Sequence, residues 1–215
     1  MSNVGFYRIA PGCPTTDKMS FVKEWIYRLR HNRGFGVQSP VAFHFVMHVL
    51  REYKHPYYCY PALNKMAREA GGYPAAHCRR LFRICNYARP RNIVAFADTG
   101  GSALAALSAG YSGVPRCSVG SVGELVKFLD SVDAVGLLHI GRTPHYEQVL
   151  HRALANVDNR SVIIVEGIHR DKKIVRWWKS VVAHPRVVIS MDIYSAGILF
   201  FDTEYKKQHY TFWFK

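Results

Sequence analysis

The sequence has few acidic residues and no paired cysteines, and each shortage excludes a class of protein. Fifteen Asp and Glu residues accompany twenty-nine Lys and Arg residues, so the formal net charge is +14. The five cysteines are scattered and form no CxxC pair, which argues against a disulfide framework and against a zinc site built from cysteines. We therefore expect reduced thiols and a cytoplasmic location.

Long apolar runs and a secretory leader are also missing. No run approaches the roughly 18 residues of a membrane span, and residues 1–14 lack the apolar core and cleavage site of a signal peptide. A Walker A loop, a GxSxG elbow, an HExxH helix and a GxGxxG turn are all absent. The sequence thus predicts no membrane partner and none of the chemistry that these motifs carry.

The excess of positive charge favours anionic partners such as nucleic acid, anionic lipid or phosphorylated ligands. A basic surface that serves only solubility explains the charge equally well, because the excess is spread over several segments. One predicted helix, 74–88, carries Arg79, Arg80 and Arg83 beside apolar residues, and Arg89 follows it. We interpret this basic face as solvated rather than as a nucleic-acid contact.

The first 88 residues are predicted to form a leader and a helical cap. Ser39 followed by Pro40 is the favoured start of a helix, a capping side chain before a proline in the first turn. In chain order we expect an irregular leader over 1–18, a helix from Ser20, a helix from Pro40, an aromatic loop over 53–60, and helices near 61–70 and 74–88.

From residue 89 to 215 the pattern changes to short apolar runs that alternate with helical segments. The predicted strands are 93–97, 117–120, 134–140, 161–166, 187–193 and 197–201, with a last aromatic run over 210–214. Predicted helices lie at 122–131, 144–156 and 170–183. This order predicts an α/β fold, a Rossmann-like, mostly parallel sheet that ends in an antiparallel hairpin, with helices on both faces and the N-terminal helical cap in front.

The stretch 91–110 is the centre of this pattern, because a buried strand meets a turn of Asp98, Thr99, Gly100 and Gly101 and then a helix. Such a turn aims backbone N–H groups at the carboxyl end of the strand, which favours a nucleotide or nucleoside ligand. Two adjacent glycines are also compatible with a plain strand-to-helix connection that binds nothing, and both interpretations stay open at this point.

Four stretches resemble the class I S-adenosylmethionine-dependent methyltransferase family. RNIVAFADTGG is similar to its first strand and glycine loop, and DAVGLLHIGRTPHYEQV to its fourth strand and following loop. VIIVEGIHRDKKIVRWW resembles the fifth strand and turn of small-molecule O-methyltransferases, and RGFGVQSPVAFHFV the helical extension of a bacterial branch. The resemblance covers about residues 28–214 and implies methyl transfer from S-adenosylmethionine.

Several family residues are replaced in this sequence. The acidic residue of the first strand falls at Ala95, the first glycine of the loop at Ala97, and Asp98 is one step out of register. After the second strand the family places an acidic residue that accepts the ribose hydroxyls. This sequence offers only Ser121 there, with Glu124 a turn later. The interval from residue 117 to residue 134 is short for a second strand, a helix and a third strand. We therefore expect one βα unit of the family fold to be trimmed.

The carboxylates of the metal-dependent members are also replaced, by Gly141 and by the pair Glu166–Gly167. We therefore expect no divalent cation site.

The resemblance implies a site at the carboxyl ends of the strands. Glu166 and His169 are the candidate catalytic residues, lining the acceptor pocket. The candidate cofactor-binding residues are Ala97, Asp98, Thr99, Gly100, Gly101, Ser121, Ile140 and Gly141. His139 is interpreted as a core imidazole, and Asp192 as a structural residue opposite the crevice or near the hairpin.

Further along, His145 opens a helix, where a surface turn and a site are equally plausible. Trp177 and Trp178 are expected to pack rather than to stack on a base.

Two functions remain open at this point. The first is a methyltransferase with S-adenosylmethionine as cofactor, acting by O-methyl transfer on a small molecule. The second is a catalytically inactive member of the fold that serves as a basic binding or scaffold module, for example for RNA. The replaced acidic residues favour the second function, and the order of the motifs favours the first. The partner is accordingly a small-molecule acceptor or nucleic acid, and a homodimer is a further expectation.

Overall fold

Three helices precede the sheet in the computed structural model, which describes residues 39–51 and 56–212. Helix α1 spans Pro40–Phe45 and continues as a π-helical turn, Val46–Leu50; α2 spans Tyr60–Ala70 and α3 spans Ala75–Ala88. The Ser39 hydroxyl accepts a hydrogen bond from the Ala42 amide, so α1 begins at the predicted cap. The leader 1–18, the helix from Ser20 and residues 53–55 of the aromatic loop lie outside the described residues.

Seven strands form one sheet in the order β2-β1-β3-β4-β6-β5-β7. The strands are β1 Ile93–Phe96, β2 Arg116–Val119, β3 Leu137–Ile140, β4 Val162–Glu166, β5 Ile189–Asp192, β6 Ala196–Phe200 and β7 Gln208–Thr211. Strands β1 to β4 are parallel, and β6 is antiparallel to both of its neighbours, β4 and β5. The predicted parallel sheet with a terminal hairpin is confirmed.

Four more helices connect these strands. They are α4 Ser102–Gly110, α5 Val122–Asp130, α6 Tyr146–Ala155 and α7 Lys172–Ala183. Helices α1 to α4 share one apolar core with one face of the sheet, while α5, α6 and α7 cover the other face. Runs such as Val162–Glu166 are buried along their whole length because both faces are covered.

The two edges of the sheet differ from a simple alternation of strand and helix. A single helix, α5, joins β2 to β3, and β2 is the edge strand of the sheet, beside β1. The expected trimming of one βα unit is therefore confirmed. At the other edge β7 pairs in parallel with β5. The predicted last strand, 210–214, begins two residues earlier, and residues 213–215 lie outside the described part.

The basic side of α3 is not a solvated face, and this expectation is wrong. The Arg83 side chain is buried and donates hydrogen bonds to the carbonyls of Val49 and Leu50 and to the Tyr60 hydroxyl. These carbonyls end the π-helical turn and have no partners of their own within it, so the guanidinium satisfies them. Arg79 in turn donates to the side-chain carbonyl of Asn64 on α2.

The two tryptophans of α7 pack against the protein, as expected. Trp178 is buried, and its ring fills the space beside Gly197 of β6, where a Cβ would lie 2.2 Å from the ring. Trp177 is half-buried and meets the Tyr146 ring edge-on at 4.5 Å. Among the described residues, no helix combines the length and apolar character that crossing a membrane requires.

Candidate functional site

The turn after β1 is open to solvent at the edge where the parallel strands end. Residues Thr99–Gly101 form a 3₁₀ turn and all three are exposed. Gly100 must be glycine, because its φ is +79° and a Cβ would lie 2.6 Å from the Ala70 carbonyl oxygen. Ala97, at the position of the first family glycine, has a φ of +54°, so the left-handed backbone is kept without a glycine.

Asp98 caps the helix that follows this turn. Its Oδ1 accepts a hydrogen bond from the Ala103 amide at 3.0 Å, and its Oδ2 accepts one from the Leu104 amide at 2.7 Å. The carboxylate therefore neutralises the amino end of α4 from within the chain. That Asp98 also contacts a cofactor stays a prediction.

A second capped helix begins where β2 ends. The Ser121 hydroxyl accepts a hydrogen bond from the Glu124 amide, and Glu124 Oε2 accepts one from the Gly120 amide at 2.8 Å. The arrangement is a variant of the capping box, because the carboxylate accepts from the amide of Gly120, one residue before the N-cap Ser121. It brings an exposed carboxylate back to the end of β2, next to Ser121. The sequence interpretation placed Glu124 one turn after Ser121 and named Ser121 alone as a candidate for cofactor binding.

Gly141 closes the gap between the ends of β1 and β3. Its amide donates to the Phe96 carbonyl at 2.8 Å, and a Cβ on this residue would lie 2.4 Å from the Ala97 carbonyl oxygen. An aspartate cannot occupy this position without separating the two strands. Gly141 and Ile140 are both buried, so Gly141 is a packing residue here and the proposed contact of Ile140 and Gly141 with a cofactor stays a prediction.

Two imidazoles converge on one carboxylate oxygen at the end of β4. Oε1 of Glu166 lies 3.2 Å from Nε2 of His139 on β3 and 3.0 Å from Nε2 of His77 on α3. Glu166 and His139 are fully enclosed, with side-chain exposures of 1% and 0%. Burial acts to raise the pKa of Glu166, but the charge of His77 and the hydrogen bond and charge of His139 outweigh it and lower the pKa to about 2.

Tyr73 covers this cluster from the turn between α2 and α3. Its ring stacks on His77 at 4.5 Å and meets His139 edge-on at 5.5 Å. Burial raises the pKa of Tyr73, and the nearby carboxylates of Glu166 and Asp98 raise it further. Tyr73 therefore lies between the glycine turn and the end of β4. Its amide donates to the Ser102 hydroxyl, which fixes the cap to the start of α4.

Arg80 lies on the hairpin side of the cluster. Its guanidinium donates to the Ser195 hydroxyl at 3.1 Å, in the loop between β5 and β6. Burial lowers the pKa of Arg80, and the charge of Glu166 opposes that effect. Neither Tyr73 nor His77 was singled out in the sequence, because the turn and helix that carry them lie about 60 residues or more from β3 and β4 and no local spacing joins them.

His169 forms a pair with Asp192, the residue to which the sequence interpretation gave a structural role. Nε2 of His169 lies 2.6 Å from Oδ2 of Asp192, and the imidazole stacks on the Tyr194 ring at 4.9 Å. Strand β5 runs in the same direction as β4, because both are antiparallel to β6, so Asp192 ends at the same edge as Glu166. Of the two placements expected for Asp192, the one near the hairpin is confirmed and the one opposite the crevice is wrong.

His145 lies at the start of α6 and is exposed. Its amide donates to the Thr143 hydroxyl, which makes it part of a surface turn. Thus the edge of the sheet brings together the glycine turn, the capping box of Ser121, the cluster around Glu166 and the pair of His169 with Asp192.

These features have the architecture of the class I S-adenosylmethionine-dependent methyltransferases, a Rossmann-like sheet with its glycine turn after β1 and a terminal hairpin. Among solved structures, the O-methyltransferase from Bacillus cereus in complex with SAH has a TM-score of 0.51 at 13% identity, covering 71% of this chain and 94% of that one. Neither protein-family models nor the sequences of curated proteins match the chain.

Two further solved structures agree. The O-methyltransferase TomG from Streptomyces achromogenes, involved in tomaymycin synthesis and solved in complex with SAM, has a TM-score of 0.51 at 13% identity and covers 82% of this chain and 98% of that one. A methyltransferase from Geobacter sulfurreducens has a TM-score of 0.51 at 12% identity, covering 69% of this chain and 90% of its own. At such identities the likeness establishes the fold, and the expected resemblance to this family is confirmed at that level.

Proposed function

We propose that the chain is a methyltransferase that uses S-adenosylmethionine and transfers the methyl group to an oxygen of a small molecule. The observation that carries the proposal is the open glycine turn, Thr99–Gly101, at the carboxyl edge of a sheet whose fold is that of the Bacillus cereus and TomG enzymes. Ligands of open α/β sheets bind in the crevice outside this edge. S-adenosylmethionine would supply the electrophilic methyl group.

The residues present suit the two ends of such a cofactor. The exposed turn offers backbone groups to the methionine end. Glu124 offers a carboxylate at the end of β2, where it accepts from the Gly120 amide and retains lone pairs for the ribose hydroxyls. Asp98, Ala97 and Ser121 shape these two loops, and their predicted contacts with the cofactor belong to this proposal.

His169 is the better candidate for taking the proton of the acceptor hydroxyl. Its side chain is 22% exposed, whereas that of Glu166 is 1% exposed and is already approached by two imidazoles. The Asp192 carboxylate accepts from Nε2–H of His169, which orients the ring. Glu166 then has a positioning role, holding His77 and His139 at the floor of the acceptor pocket.

A basic scaffold function receives less support from the side chains. Arg83, Arg79 and Arg80 donate hydrogen bonds to groups of the same chain, so they do not form a free cationic surface for RNA. The proposal therefore takes a small molecule as partner, and the chain acts as an enzyme.

Calorimetric titration with S-adenosylhomocysteine tests the cofactor assignment. We expect micromolar binding by the full chain, and binding weaker by about tenfold in Glu124→Gln, because glutamine keeps the capping hydrogen bond but loses the charge. The matched control is Glu147→Gln, an exposed glutamate of α6, which should bind as the unchanged chain does. Absence of heat at millimolar ligand overturns the proposal.

Catalysis is tested by release of S-adenosylhomocysteine during a screen of phenols, catechols and other small hydroxylated acceptors. In His169→Gln we expect kcat to fall by about 100-fold, with unchanged affinity for S-adenosylhomocysteine, because a general base contributes about this factor. Equal kcat values for the variant and the unchanged chain contradict the role given to His169.

A further inference from the structure

We propose that His77, His139 and Glu166 form a binding site for a transition-metal ion of the zinc class. The proposal goes beyond methyl transfer and does not depend on it. The three residues come from α3, β3 and β4, so only the folded chain assembles them. Each offers one ligand atom, and the three atoms all lie within 4.8 Å of one another.

The distances between the ligand atoms suit a tetrahedral ion. At metal–nitrogen and metal–oxygen bond lengths of about 2.0–2.1 Å, neighbouring ligands of a tetrahedral ion are about 3.3–3.4 Å apart. The two measured separations, 3.0 Å from His77 Nε2 and 3.2 Å from His139 Nε2 to Glu166 Oε1, require an adjustment of only a few tenths of an ångström. The two imidazole nitrogens lie within 4.8 Å of each other, so they must approach by up to about 1.4 Å, the difference between 4.8 and 3.4 Å.

The hydrogen bonding of the cluster is incomplete without an additional partner. Nε2 of His77 is buried and makes no hydrogen bond within the described residues, although it lies 3.0 Å from Glu166 Oε1. The imidazole nitrogen therefore does not point at the carboxylate in the way a donor would. Buried polar atoms in folded proteins are normally satisfied. A metal ion between the three atoms satisfies His77 and neutralises the carboxylate.

The ligand types select the ion. Two imidazole nitrogens and one carboxylate oxygen suit Zn²⁺, Co²⁺ or Ni²⁺, whereas Mg²⁺ and Ca²⁺ prefer oxygen ligands alone. Three protein ligands leave one position of a tetrahedral ion open, as in sites that bind water or substrate. The buried guanidinium of Arg80 lies in the field of Glu166 and opposes a second positive charge, so we expect micromolar rather than picomolar affinity.

The expectation of no cation site, drawn from the sequence, considered only the carboxylates that metal-dependent methyltransferases use. Those positions are Gly141, Glu166 and Gly167 here, and of these only Glu166 can ligate an ion through a side chain. The proposed site combines Glu166 with two residues outside that set, His139 of β3 and His77 of the helical cap.

The test uses the full chain, freed of metal with a chelator, with Zn²⁺ and Co²⁺ chlorides as probes and no S-adenosylmethionine present. We expect one equivalent of Zn²⁺ to bind in calorimetry and to raise the Tm. Co²⁺ should give the visible absorption of a four-coordinate ion. Binding of S-adenosylhomocysteine is measured separately in chelator, so that failure of the metal site and failure of the methyltransferase proposal are distinguished.

Variants assign the metal to these residues. His77→Ala removes the least buried ligand, and we expect Zn²⁺ to bind at least about tenfold more weakly with loss of the Co²⁺ spectrum. His77→Gln repeats the measurement if the alanine variant fails to fold. His151→Ala, an exposed histidine of α6, is the matched control and should change neither readout. Absence of one-equivalent binding, or unchanged binding in the folded His77 variant, overturns the proposal.

Discussion

Replacing Gly141 by alanine tests the close approach of β1 and β3 beneath the glycine turn. The added Cβ would lie 2.4 Å from the Ala97 carbonyl oxygen and 3.0 Å from that of Phe96, whereas ordinary contacts begin at 3.4 Å. The two strand ends must therefore separate by up to about 1 Å, the difference between 3.4 and 2.4 Å. This movement stretches the 2.8 Å hydrogen bond from the Gly141 amide to Phe96.

The expected loss follows from these contacts. Overpacking of a well-packed core costs about 1–3 kcal/mol, and weakening one buried hydrogen bond adds about 1 kcal/mol. Alanine also restricts the unfolded chain, which returns about 0.5 kcal/mol. We therefore expect Gly141→Ala to lower the free energy of unfolding by about 1.5–3.5 kcal/mol.

Urea denaturation of the purified variants is the assay, with a second glycine as the matched control. Gly123 lies in α5 and an added Cβ would meet nothing within 4 Å, so Gly123→Ala should raise the free energy of unfolding by about 0.5–1 kcal/mol. If Gly141→Ala unfolds within about 0.5 kcal/mol of the unchanged chain, the inferred contact is refuted. An equal loss in both variants would also refute it.

Further predictions concern the core, the helix cap and the thiols. Gly197→Ala should lower the free energy of unfolding by about 1–3 kcal/mol and change tryptophan fluorescence, because the Cβ meets the Trp178 ring at 2.2 Å. Asp98→Ala should cost about 1–2 kcal/mol in denaturant, because two amides of α4 lose their acceptor. Burial raises the pKa of Cys85 to about 12, so mass spectrometry after alkylation near neutral pH should find Cys85 unmodified while the half-buried Cys117 reacts. Denaturant should remove that difference.

The strands and their succession along the chain could be predicted, because apolar runs of four or five residues are a local sequence signal. The runs that become β1, β3 and β4 are buried on both faces, and the glycine turn after β1 follows from the pair Gly100–Gly101. The trimmed βα unit could likewise be recognised from the short interval before β3. These features depend on local composition and on spacing along the chain.

The chemistry of the site could be predicted only in part, because it depends on contacts between distant segments. Glu166 was recognisable as the last residue of a buried strand, but its partner His77 comes from a helix almost 90 residues earlier. Asp192 could be placed near the hairpin but not at the edge of the site, because the direction of β5 depends on where β6 inserts in the sheet. The arginines of α3 were misinterpreted because charge on a helix indicates solvent unless a neighbour offers acceptors.

The buried guanidinium of Arg83 bears on how the molecule would behave if it were shortened. Its hydrogen bonds join the carbonyls of Val49 and Leu50, at the end of the π-helical turn, to α3. Helix α3 in turn packs along α4, the helix that follows the glycine turn. A chain begun at β1 would leave only α4 to cover that face of the sheet. Hydrogen exchange should therefore find α1 and α3 protected to the same degree as the central strands, as parts of a single cooperative unit.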